Sequence, residues 1–158
     1  MSRLDGLYRG TVVNNVDPLG LGRLQVGVPS AMGSSDFSWA RPCVPFGGWF
    51  MLPPAGALVW VMFEEGNAND PVWMGVFWDD ANRPPATPPL ELTKVLKTDG
   101  VTISIQDVPG AASFELETAG GAKLSLGPAG ITIDNGMGAK IELQGPQVSV
   151  NGGALEVI

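Results

Sequence analysis

The chain has no histidine and a single cysteine, Cys43, among its 158 residues. Without histidine it lacks the commonest general base near neutral pH and the commonest metal ligand. One cysteine allows no intrachain disulfide and no cysteine-cluster zinc site. Basic residues are few: 9 Lys and Arg stand against 16 Asp and Glu, a formal net charge of −7. So acidic a chain suits nucleic acid poorly, because that affinity comes mostly from neutralised phosphates. Long apolar runs are also missing. Residues 49–63 form the most apolar stretch; it is too short to cross a bilayer as a helix, and Pro53, Pro54 and Gly56 interrupt it. Residues 1–10 (MSRLDGLYRG) lack the apolar core of a signal peptide, so a product made in the cytoplasm is expected.

What is abundant is punctuation. Gly and Pro together make 36 of 158 residues, about twice the usual share. That density argues against long helices and for many short strands. The composition also changes near residue 84. Eleven of the twelve aromatics precede it, and only Phe114 follows. Residues 83–89 (RPPATPP) form a stiff, extended connector. The reading is therefore a domain over 1–80, a Pro-rich linker over 81–95 and a second element over 96–158.

The first part reads as a small β domain. Strands are expected over residues 7–13, 23–28, 58–64 and 71–78, with turns at 14–22 and 65–70. About five short strands in eighty residues suit a small barrel or sandwich with its own aromatic core. Trp60, Phe63, Trp73 and Phe77 are assigned to that core. Trp39, Trp49 and Phe50 fall in an expected loop and are free to meet a partner. Cys43, between Pro42 and Val44, reads as a buried, inert thiol.

In the second part short apolar-x-apolar triplets recur: Val101-Ile103-Ile105, Phe114-Leu116, Leu124-Leu126, Ile131-Ile133, Ile141-Leu143, Val148-Val150 and Leu155-Val157. Gly or Asn separates most of them. This is a period-two repeat with one apolar face. Nothing else in this half can cover that face. A lone narrow sheet could not offset the ~1–2 kcal/mol per residue lost on ordering the backbone. The simplest cover is the same face of other copies: three chains around one axis, Lys, Glu, Ser and Thr outside, strand edges paired between chains. A single-chain solenoid and packing back on the first domain are the other two covers.

The chemistry-bearing residues read modestly. Glu64-Glu65 and Asp79-Asp80 are adjacent pairs, and neighbours along a strand point to opposite faces. No catalytic residue, metal ligand or cofactor is assigned. Arg23 and Arg41 are expected to pair with carboxylates or with a neighbouring subunit.

Taken together, the residues resemble a known family. Gly10-Thr11-Val12 with Asp17-Pro18, Gly22-Arg23-Leu24-Gln25-Val26 ending at Pro29, Trp39-Ala40-Arg41-Pro42, Phe50-Met51-Leu52-Pro53-Pro54, Val59-Trp60-Val61 and Asp70-Pro71-Val72-Trp73 occur in order over about seventy residues. They resemble the oligonucleotide/oligosaccharide-binding (OB) barrel of contractile-tail spikes, namely baseplate assembly protein V and its relatives and the VgrG proteins of type VI secretion. The resemblance implies an all-β chain, a five-stranded OB-type barrel followed by an intertwined trimeric β-helix or β-prism needle. It implies a non-enzymatic homotrimer in a virion tail baseplate or contractile injection particle. The barrel would dock on a baseplate hub protein, and the needle would pierce the target cell envelope. The needle core would be the triplet residues from Val101 to Val150. Trp39, Arg41, Trp49 and Phe50 become candidates for hub or inter-subunit contact. Leu155, Val157 and Ile158 become candidates for contact with a PAAR-type tip protein. The alternative is a trimeric stalk carrying a carbohydrate-binding or adhesion module.

Overall fold

Dense Gly and Pro punctuation yields short strands throughout the computed structural model, which describes residues 3–86 and 88–157. The chain divides into two compact units, Met1–Asn82 and Arg83–Ile158. Each builds a sheet of a different kind. Among the described residues no helix is long and apolar enough to cross a membrane.

The first unit is a closed barrel. Its strands are β1 (Tyr8–Asn14), β2 (Leu24–Gly27), β3 (Phe37–Pro42), β4 (Leu58–Phe63) and β5 (Pro71–Val76), with a four-residue helix α1 (Pro29–Met32) after β2. The order around the barrel is β1-β2-β3-β5-β4. β1 closes it by pairing with both β2 and β4. Its register shifts between Val12 and Asn14, an irregularity of the kind that bends a strand between two partners. β3 and β5 run parallel. Alternation sends Val12, Leu24, Val26, Ala40, Val59, Val61, Phe63 and Trp73 inward, and they form the core with Val28. The order is that of an OB barrel, as the resemblance implies.

Three details differ from the sequence reading. Trp39 lies in strand β3, not in a loop. Trp60 and Phe77 are outside the core. Trp60 faces outward because Val59 and Val61 take the inward positions of β4, and its ring lies 4.5 Å from that of Phe77, tilted by 36°, with the Arg9 guanidinium over both. Cys43 is exposed, not buried. Pro42 ends strand β3 and Val44, after the cysteine, is exposed, so apolar flanks do not imply burial here.

The β1–β2 loop is organised by Asp17. Its carboxylate accepts backbone N–H groups from Leu19 at 3.0 Å, Leu21 at 2.9 Å and Arg23 at 3.2 Å. The Arg23 guanidinium also donates to it at 2.7 Å. The Asp17 side chain is only 3% exposed. The Arg23 bond, helped by these backbone donors, holds the carboxyl well below the usual carboxylate range.

The second unit is an eight-stranded antiparallel meander in chain order: β6 (Thr93–Lys97), β7 (Val101–Gln106), β8 (Ser113–Thr118), β9 (Lys123–Gly127), β10 (Gly130–Asp134), β11 (Lys140–Gln144), β12 (Gln147–Val150) and β13 (Leu155–Val157). Every apolar triplet of the sequence lies on one of these strands. β6 carries no such triplet and went unread. Each strand from β7 to β12 finds both ladder partners within the chain. Inter-chain pairing is therefore needed at most along the outer edges of β6 and β13, fewer edges than the sequence reading supposed.

The turns along one side of this sheet touch one another. Ala119 N–H donates to Gly100 O at 2.9 Å, and Asn151 and Lys140 exchange two bonds of 2.8 Å. Between them Gly136 lies against Gly121. Gly136 has φ +73°, and a Cβ there would sit 2.6 Å from the Gly121 carbonyl carbon. Only glycine meets both conditions.

Two outcomes follow. Asp17 has a depressed folded pKa, so its contribution is present above the usual carboxylate value of 3.8 and fades as pH falls below it. The barrel's thermal midpoint should drop over that range, and Asp17→Asn should lower the midpoint at neutral pH and flatten that part of the profile. Gly136→Ala should destabilise the sheet by more than about 1–2 kcal/mol, the left-handed penalty alone. Gly100→Ala, with open space around its Cβ, should change the denaturation midpoint far less.

Candidate functional site

Period-two alternation places two columns of apolar side chains on one face of the meander. The cross-strand register defines them. One runs Ile105, Phe114, Leu126, Ile131, Leu143, Val148. The other runs Leu96, Ile103, Leu116, Leu124, Ile133, Ile141, Val150, Leu155. Val101, opposite Thr118, lies on the same face. All thirteen residues assigned to the needle core from sequence are thus on one side of one sheet.

Among the described residues of this unit, none covers that face. No described residue beyond Trp73 is buried. Ile133 is 49% exposed, Ile105 40% and Ile141 40%. Monomeric proteins rarely expose contiguous apolar patches this long, and such patches mark interaction sites. Leu155 is exposed and pairs with Val150. Val157 is described through its backbone, which pairs with Val148. Ile158 lies outside the described residues.

The opposite face is polar and self-paired. Thr102, Glu117, Lys123, Asp134 and Lys140 form one cross-strand row, and Ser104, Glu115, Ser125, Thr132, Glu142 and Ser149 the next. Lys123 reaches Glu115 at 3.0 Å and Lys140 reaches Glu142 at 2.8 Å. The Glu142 carboxylate raises the Lys140 pKa. Such a face is suited to water.

In the barrel unit the other candidates separate into two places. Trp49 and Phe50 project from the loop after β3, 44% and 76% exposed. Phe46 packs edge-on against Trp49 at 6.2 Å. With Leu21, Val44, Met51 and Leu52 they line a groove of about 230 Å³. The sequence reading had missed Leu21 and Leu19, which the Asp17 turn holds outward. Apolar residues flanking a capped Asp-Pro turn were the signal available. Trp39 and Arg41 are elsewhere on the barrel. Trp39 is half-buried with the Arg23 guanidinium over its ring at 5.3 Å. Arg41 pairs with Glu64 and lies 3.7 Å from Asp70. Of the adjacent acid pairs, Glu64 is engaged by Arg41, and Asp79 accepts from the turn N–H groups of Ala81 and Asn82. Those turn bonds, Asn82 foremost, lower the Asp79 pKa.

Comparison with curated proteins gives no match. Comparison with protein families gives two. Residues 8–78 match the type VI secretion system/phage-baseplate injector OB domain. Residues 93–156 match the phage baseplate V C-terminal trimerisation domain. The second match begins at the first residue of β6 and spans the sheet with the uncovered face. That match supports self-association of this unit in a baseplate context. With one model on the barrel and the other on the meander, the chain belongs to the phage baseplate V family of structural baseplate spike proteins.

Proposed function

We propose that this protein is the trimeric central spike of a contractile tail or contractile injection system. The observation that carries the reading is the second sheet: eight strands, two apolar columns on one face, and no buried side chain among its described residues. Three such faces turned toward one axis bury both columns in a dry prism and leave the charged rows in water. A load along that prism is resisted by many ladder hydrogen bonds and a close-packed interior acting together. Its work is mechanical: it pierces the target cell envelope by stiffness and shape.

The barrel docks the spike on a hub protein. Trp49 and Phe50, beside the groove with Leu21, offer the exposed aromatic anchors that such contacts use. Trp39 and Arg41 belong to a different patch, suited to a contact between subunits. Leu155 and Val157 of β13, with Ile158 next in sequence, are suited to a separate PAAR-type tip protein, which would cover the outer edge of β13.

Light scattering after gel filtration should give three times the 16.5 kDa chain mass. A monomer would overturn the reading. Ile133→Asp should abolish the trimer, because a carboxylate would be buried in the apolar interior, while near-ultraviolet dichroism of the barrel aromatics persists. In particle-assembly assays, Trp49→Ala with Phe50→Ala should leave the trimer intact and prevent its incorporation. Normal incorporation would remove the hub assignment. Pull-down of a tip protein should be lost when residues 155–158 are deleted.

A further inference from the structure

The apolar face has one charged exception. Lys94 on β6 stands directly opposite Ile105 on β7, so it heads the first apolar column. Asp107 follows β7 at the next position of the same alternation, and Lys94 Nζ donates to its carboxylate. Both side chains are half-exposed, 50% and 51%. No other charged residue occupies this face among the described residues of the eight strands. The other Lys, Asp and Glu of these strands are on the polar face.

The two columns pose a problem of register. Each is a run of Ile, Leu and Val, with one Phe in the first, one residue per strand. Three such faces could pack with a stagger between chains at little loss, because each strand offers much the same surface as the next. A single ionic element at one end removes that degeneracy. A staggered chain would place its Lys94 and Asp107 against the Phe114 or Leu116 of a neighbour, where a charge without its full set of partners is strongly disfavoured. A polar residue in an apolar seam is the best-attested way to fix register.

We infer that, in the trimer, the three Lys94–Asp107 pairs meet at the β6 end of the apolar interior and form a ring of six alternating charges that sets the register of the three chains. Each ammonium has three donors and each carboxylate several lone pairs. One bond within the chain leaves capacity for one to the neighbour. The partner is a second copy of this chain, and the ring is incomplete without it. The inference rests on the trimeric reading above and adds what aligns the chains within it.

The test uses two full-length variants, Lys94→Glu and Asp107→Lys, one of them labelled with 15N. The first carries two negative charges at this position and the second two positive. They are unfolded and refolded together, and trimer compositions are read by native mass spectrometry. Mixed trimers should exceed pure ones by at least about fivefold over binomial proportions, a difference of about 1 kcal/mol. Binomial proportions would overturn the inference, because the pairs would then act only within each chain. If neither variant assembles alone, recovery of trimers from the mixture supports the ring. Failure of the mixture alongside success of the double swap, Lys94→Glu with Asp107→Lys in one chain, overturns it. A wild-type chain that is monomeric fails the trimeric reading itself, which separates the two outcomes.

Discussion

The uncovered apolar face of the meander governs the rest of this molecule. Antiparallel sheets ordinarily keep one face on a core and one in water. Here the water face is complete, with its rows of Ser, Thr, Lys and Glu, and the core face has no core. Backbone hydrogen bonds do not remedy this, since their net contribution of ~0.5–1.5 kcal/mol each is comparable to the ordering cost per residue. Only burial closes the gap, and within this unit burial requires more than one chain. The trimerisation-domain match of this unit accords with that requirement.

The barrel solves the same problem by curvature. Closing β1 onto β4 lets one sheet cover its own inner face, and a small set of side chains fills it. Closure also removes strand edges. That independence leaves the barrel surface available for other work. The near-buried Asp17 carboxylate shapes one loop, and the apolar loop after β3 lies beside it, with exposed Leu21, Trp49 and Phe50 around a groove. An exposed apolar surface held by a rigid, fully hydrogen-bonded turn binds with less ordering cost than a mobile one.

The meander is built by local repetition. Its strands follow one another in chain order, so contacts are local and the unit extends by repetition. The turns along one side touch through Gly100, Gly121, Gly136 and Asn151, which ties successive hairpins together beyond their ladders.

By itself the sequence determined the class of both halves. The Gly and Pro density, the loss of aromatics after residue 83 and the spacing of the triplets were enough to read short strands, two units and one apolar face without cover. These features are legible because alternation and turn chemistry act over a few neighbouring residues. The triplets from Val101 to Val150 could be named for the same reason. Tertiary structure decided what depends on partners distant in sequence. The inward or outward sense of Trp60 depends on which face of β4 the barrel curls around. The exposure of Cys43 depends on a loop that turns its apolar residues outward. The pairing of Arg23 with Asp17 depends on how the β1–β2 loop folds. Register placed Lys94 opposite Ile105, and no local pattern in β6 marks that strand. Alternation shows which residues share a face, but only strand pairing shows which of them stand side by side.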